Sequence, residues 1–140
     1  MKAVYATGTN YDDPLSVLEV GTMPEPETKP FWSTIRVNSA SVNHHDVWSL
    51  QGVGLSDEQT PMILGTDAAG VLEEDIPVRK GLKAGSEVVL YTFVGTDGAG
   101  VMPGERRSIL SERYAGTMAE YTQVPSANVF AKPANLNLDE

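Results

Sequence analysis

The residue types best suited to acid–base or ligand chemistry gather in one stretch, Ser41-Val42-Asn43-His44-His45-Asp46-Val47-Trp48. It holds both histidines of the chain, an adjacent carboxylate and one of the two tryptophans. An imidazole titrates near neutrality and can move a proton, and a carboxylate beside it can orient the ring or compensate its charge. A second polar pair, Thr66 and Asp67, lies in the small-residue run Gly65-Thr66-Asp67-Ala68-Ala69-Gly70 and is a candidate partner for the first stretch. Adjacent helical residues point roughly 100° apart, so His44 and His45 do not converge on one metal ion. A cation held by either histidine with Asp46 and Asp67 would have an unusual, hard ligand set.

Composition removes several classes of function. The chain of 140 residues fits one domain with a sizeable core. Lys+Arg 10 against Asp+Glu 19 leaves a net charge of -9, which repels phosphate backbones and anionic membrane surfaces, so neither nucleic acid nor membrane is expected as a partner. Cysteine is absent, which removes disulfides, thiolate nucleophiles and cysteine-based zinc or iron–sulfur sites. No apolar run approaches the ~20 residues of a membrane helix. Met1-Lys2-Ala3-Val4-Tyr5 reads as a short strand rather than a leader, and the expected location is the cytoplasm.

The elements that must position the chemistry are mostly strands. Residues 1–6 form one strand-like run. Leu15, Val17 and Val20 fall in a second, and Pro14, Pro24, Pro26 and Pro30 leave no room for a helix there. Over residues 32–42, Ile35, Val37 and Ser39 share one face while Thr34, Arg36 and Asn38 share the other, as in a half-buried strand. That strand delivers the chain to Asn43, which can cap a short helix ending at Leu50 or Gln51, with Gly52 and Gly54 as the stop. Asn43 and Asp46 approximate a capping box. Residues 65–72 read as a strand packed closely against a neighbour, because Ala68, Ala69 and Gly70 leave little side chain in the way. Strands are also expected at 87–91, 117–124 and 129–131, with an irregular lobe from Gly95 to Gly116. There is no internal repeat and no low-complexity tract. The pattern is that of a mainly β fold, a small, partly open barrel with one or a few short helices.

Some side chains have two readings. Trp48 stands four residues after His44 and can pack on a substrate ring or enter the core, and the core is the expected place. Tyr91, at a strand end, is a candidate donor that nothing separates from Tyr121. Glu105-Arg106-Arg107 and Ser111-Glu112-Arg113 read as an ordinary solvated, internally paired surface.

The order of the motifs MKAVY, SVNHHDVW, PMILGTDAAGV, GSEVV and GTMAEYTQVPSANVFAKP resembles the GroES-like catalytic domain of medium-chain dehydrogenases and reductases, the superfamily of zinc-type alcohol dehydrogenases and quinone oxidoreductases. The resemblance covers nearly the whole chain and implies a GroES-like, partly open β-barrel over residues 1–140. It also implies a Rossmann domain for NAD or NADP after residue 140, with NADP favoured. In zinc-dependent members the place of Asn43 is a metal-binding cysteine, that of Thr66 a metal-binding histidine, and that of Asp67 the glutamate beside it. His44 corresponds to a basic residue that contacts the cofactor's phosphates, and His45 to a hydroxyl that relays the alcohol's proton. Asp46 matches the family's aspartate.

The resemblance therefore implies His45, Thr66 and Asp67 as catalytic residues, Asn43 and His44 as cofactor contacts, Asp46 and Trp48 as their structural support, and no zinc. The four cysteines that some members carry in the lobe after residue 95 are missing as well. The chain has no dinucleotide fingerprint, since Gly95, Gly98 and Gly100 are spaced G-x-x-G-x-G. Nor does the run from Gly65 to Gly70 continue as a P-loop. The expectation is a fragment of a longer oxidoreductase, inactive by itself, acting on a carbonyl, enone, quinone or alcohol and able to dimerise through the missing domain. A freestanding, non-catalytic barrel that binds a partner or assembles is the alternative from another class.

Overall fold

The computed structural model describes residues 1–77, 81–95 and 107–140. Strand β1 (Lys2–Ala6) pairs antiparallel with β2 (Leu18–Thr22). Between them, Pro14–Val17 forms a 3-10 turn rather than the start of the expected strand, because the fixed φ of Pro14 suits a first helical turn. Strand β3 (Trp32–Ala40) buries Trp32, Ser33 and Ile35. The helix α1 (His44–Leu50) follows, and then β4 (Met62–Ile63) adds to β1 and completes a three-stranded sheet. Across β1 and β2, Tyr5 donates to Glu19 at 2.8 Å, which lifts the phenol above its ordinary pKa.

The second half of the chain builds on β3. Strands β5 (Ala68–Leu72), β6 (Glu87–Leu90), β9 (Tyr121–Pro125) and β10 (Val129–Ala131) join it in an antiparallel sheet ordered β10-β6-β5-β3-β9. A small ribbon of β7 (Phe93–Val94) and β8 (Ser108–Ile109), unforeseen in the sequence, stands beside it. Residues 117–120 are not strand as expected. Their backbone instead laces onto the 63–65 segment, with Thr117 N–H on the Gly65 carbonyl at 3.2 Å and Met118 N–H on that of Leu64 at 2.8 Å. The glycine-rich part of the irregular lobe, with Gly98 and Gly100, and also Glu105 and Arg106, lies outside the described residues.

The result is a mainly β, partly open barrel with one α-helix among the described residues. One core cluster, including Trp32, Ile35, Leu72, Val88, Leu110, Val124 and Val129, fills the five-stranded sheet. A second, of Ala6, Leu50, Leu55, Met62 and Leu64, seats α1 on the three-stranded sheet. Burying each large aliphatic side chain contributes about 1.5–3 kcal/mol. The close packing expected of β5 is real, because a Cβ on Gly70 would lie closer than 3.0 Å to the Arg36 carbonyl oxygen. A register shift between Val37 and Ser39 interrupts the β3–β5 ladder shortly before the chain reaches the helix. Among the described residues no helix is long and apolar enough to cross a membrane.

Candidate active site

The strand-to-helix corner is held by one carboxylate. Asn43 takes the extended N-cap conformation, with φ -115 and ψ 159, and Asp46 sits at the third helical position to complete the capping box. Asp46 Oδ2 accepts the Asn43 backbone N–H at 2.7 Å, while its Oδ1 accepts the Gly65 N–H at 2.9 Å. The side chain is buried, so its charge is met by two backbone donors on different segments, and charge-assisted bonds of this kind are the strong ones. Asp46 therefore ties the start of α1 to the segment that carries Thr66 and Asp67.

With its backbone held there, Asn43 turns its side-chain amide onto both of those residues. Asn43 Nδ2 donates to Thr66 Oγ1 at 3.1 Å and to Asp67 Oδ2 at 3.0 Å. Asp67 Oδ1 accepts from Ser41, at 2.6 Å from Oγ and 3.3 Å from the backbone nitrogen. Thr117 Oγ1 holds the Asp67 carbonyl at 2.8 Å. Thr66 is 6% exposed, and among the described residues its own hydroxyl proton has no acceptor. The set borders a groove of about 340 Å³ whose walls include Ser39, Ser41, Asp67, Ala69, Val89 and Leu90.

These residues do not fit a zinc ion. The Asp67 carboxylate on the amide nitrogen fixes the orientation of Asn43, so the amide presents N–H groups where a ligand would have to present a lone pair. The Asp67 oxygens are already bonded. Among the described residues, no group of three or more His, Asp or Glu side chains is placed to hold a metal.

The two histidines diverge, as helix geometry requires. His44 is exposed, and its ring rests on Trp48 with centroids 5.0 Å apart. The side chain of His45 is only 18% exposed, with Nε2 3.0 Å from Glu112 Oε1. Its Nδ1 stands 3.4 Å from the hydroxyls of Ser49 and Ser111. Asn43, Thr66 and Asp67 thus form one hydrogen-bonded set that neither histidine joins. Trp48 is not a core residue, being 48% exposed, because Asp46, Ser49 and Leu50 occupy the buried side of α1.

Glu112 is the residue that sequence reasoning missed. Expected as solvated surface, it faces His45 and accepts from Ser108 Oγ at 3.2 Å, while its backbone carbonyl takes the Gln59 side chain at 2.8 Å. The one sequence signal was Gly54, whose lack of a side chain makes room for this carboxylate. Tyr91 and Tyr121, alike in the sequence, part company here. Tyr91 is 45% exposed with its ring against Phe93, whereas Tyr121 lies opposite Arg36 and lines an apolar pocket with Trp32.

The sequence profile of the alcohol dehydrogenase GroES-like domain matches residues 29–134. The chain belongs to that family. Among solved structures, the domain is similar to an NAD-dependent alcohol dehydrogenase, with 35% identity and a TM-score of 0.79 over 99% of this chain and 41% of that one. A cobalt- and zinc-bound thermostable alcohol dehydrogenase from Pyrobaculum aerophilum is 28% identical, with a TM-score of 0.78 over 100% of this chain and 43% of that one. The quinone oxidoreductase from Coxiella burnetii shares the fold at 22% identity, with a TM-score of 0.72 over 99% of this chain and 39% of that one. The GroES-like domain thus spans about two fifths of the length of these proteins. No match is found among curated proteins.

Proposed function

We propose that this GroES-like domain is the substrate-side part of an NAD(P)-dependent oxidoreductase that works without zinc, on an activated carbonyl, enone or quinone. The observation that carries the reading is the Asn43–Thr66–Asp67 set, in which hydrogen bonds stand where the resemblance places metal ligands. A nicotinamide, bound by a Rossmann domain that follows this one, supplies the hydride. The exposed side chain of His44 makes no hydrogen bond among the described residues and is available to the cofactor's phosphates.

The chain's own residues then handle oxygen and proton. As hydride reaches the acceptor, negative charge grows on its oxygen. Thr66, already accepting from Asn43, can donate its remaining hydroxyl proton to that oxygen as a preorganised hydrogen bond. Asn43 fixes the rotamer of Thr66, and Asp67 fixes Asn43. His45 is the proton-handling group of this scheme.

In the intact enzyme, acceptor-dependent oxidation of NADH or NADPH tests the reading across carbonyls, enones and quinones. Thr66→Val should lower kcat by about tenfold to a hundredfold with KM little changed, the signature of an interaction made in the transition state. Absence of turnover with every acceptor class would refute the oxidoreductase reading. Wild-type kcat in Thr66→Val would remove Thr66 from the mechanism.

A further inference from the structure

Beside His45, the proton-handling group, stands the Glu112 carboxylate. We infer that Glu112 is the positioning residue that sets the His45 ring for proton transfer, an inference that rests on reading His45 as the proton-handling group of the proposed reductase. Three features aim this carboxylate. Both of its oxygens are engaged, Oε1 with His45 Nε2 at 3.0 Å and Oε2 with Ser108 Oγ at 3.2 Å. It follows Ser111, a fully buried non-glycine residue at φ 66, whose N–H is tied to the Tyr114 carbonyl at 2.8 Å. Such backbone strain persists only where the surroundings over-determine it, and it gathers at functional sites. Finally, a Cβ on Gly54 would fall closer than 3.0 Å to Glu112 Oε1, so the 52–54 turn closes over the carboxylate only because no side chain is there. With side chains 18% and 24% exposed, the pair is partly shielded and unlike a surface ion pair.

The geometry assigns the ring nitrogens. Nε2–H is given to Glu112, so the lone pair of the neutral ring lies on Nδ1, where the Ser49 and Ser111 hydroxyls stand at 3.4 Å. In the reduction, hydride from the nicotinamide forms the new C–H bond and an electron pair moves onto the acceptor oxygen. The imidazolium gives up the proton on Nδ1, which ends on that oxygen, and the neutral ring recovers a proton from solvent. Glu112 keeps its charge throughout, holds the ring by Nε2–H and stabilises the imidazolium, the carboxylate role seen in acid–base triads.

Two measurements test this. In the 140-residue chain, proton–nitrogen correlation spectra of the His45 ring should show a protected Nε2–H that disappears in Glu112→Ala. In the intact enzyme, Glu112→Gln retains an acceptor without the charge and should lower kcat about tenfold at a KM within about twofold. Glu112→Asp should recover part of the loss. If Glu112→Ala does not fold, the Gln variant decides the matter. A wild-type enzyme that turns over while Glu112→Gln keeps its kcat would overturn this inference alone, as would a His45 ring without a protected Nε2–H. Failure of the wild-type enzyme to turn over would overturn the functional reading, and the catalytic role of Glu112 with it.

Discussion

Replacing Asp46 by alanine should cost the folded domain about 3–5 kcal/mol. Asp46 Oδ2 and Oδ1 accept the N–H groups of Asn43 and Gly65 at 2.7 and 2.9 Å. Alanine leaves both donors facing a space without an acceptor, and each unsatisfied buried donor costs about 1–3 kcal/mol. Against a total stability of roughly 5–15 kcal/mol, that loss approaches global unfolding. Asp46→Asn keeps one acceptor oxygen and gives up the charge, so about half the loss is expected. Urea titration of the two variants gives both values, and a cost below about 1 kcal/mol for the alanine variant would mean that water replaces the carboxylate. Since the Asn43 side chain reaches Thr66 and Asp67 only while α1 starts where it does, the same change should scatter the site.

Gly116→Ala should destabilise the domain by about 3 kcal/mol, for a reason that involves no polar group. A Cβ there would stand closer than 3.0 Å to three backbone atoms, the carbonyl carbon and oxygen of Leu64 and the carbonyl oxygen of Ile63. Backbone cannot rotate aside as a side chain can. The surrounding bonds, Gly116 N–H to Ile63 at 2.9 Å and Met118 N–H to Leu64 at 2.8 Å, would have to lengthen together. Gly81→Ala is the control, because a Cβ there meets nothing within 4 Å and only the positive φ of 94 opposes it. That conformational cost is about 1 kcal/mol. Equal losses in the two variants, measured by thermal unfolding, would show that the close approach at Gly116 is not what matters.

What could be read from the sequence follows the distance over which each contact acts. The Asn43–Asp46 cap is local, three residues apart, and residue type was enough to find it. The alternation of β3 and the small residues of β5 record a burial that repeats along one strand, so they too were legible. The Asp46–Gly65 and His45–Glu112 contacts join residues 19 and 67 positions apart and leave no periodic trace. Trp48 misled because α1 is seven residues long and buries Asp46 and Ser49 along with Leu50, which inverts the usual polar and apolar sides. Glu112 misled because a charged residue in a charged run looks solvated until its partner is known.

Hydride transfer without zinc can be checked by chelation. The intact enzyme is stripped with a zinc chelator, its zinc content measured, and its acceptor-dependent oxidation of NADH or NADPH followed before and after. The expected result is an unchanged rate in protein holding far less than one zinc per chain. A rate lost on chelation and restored by stoichiometric zinc would contradict it.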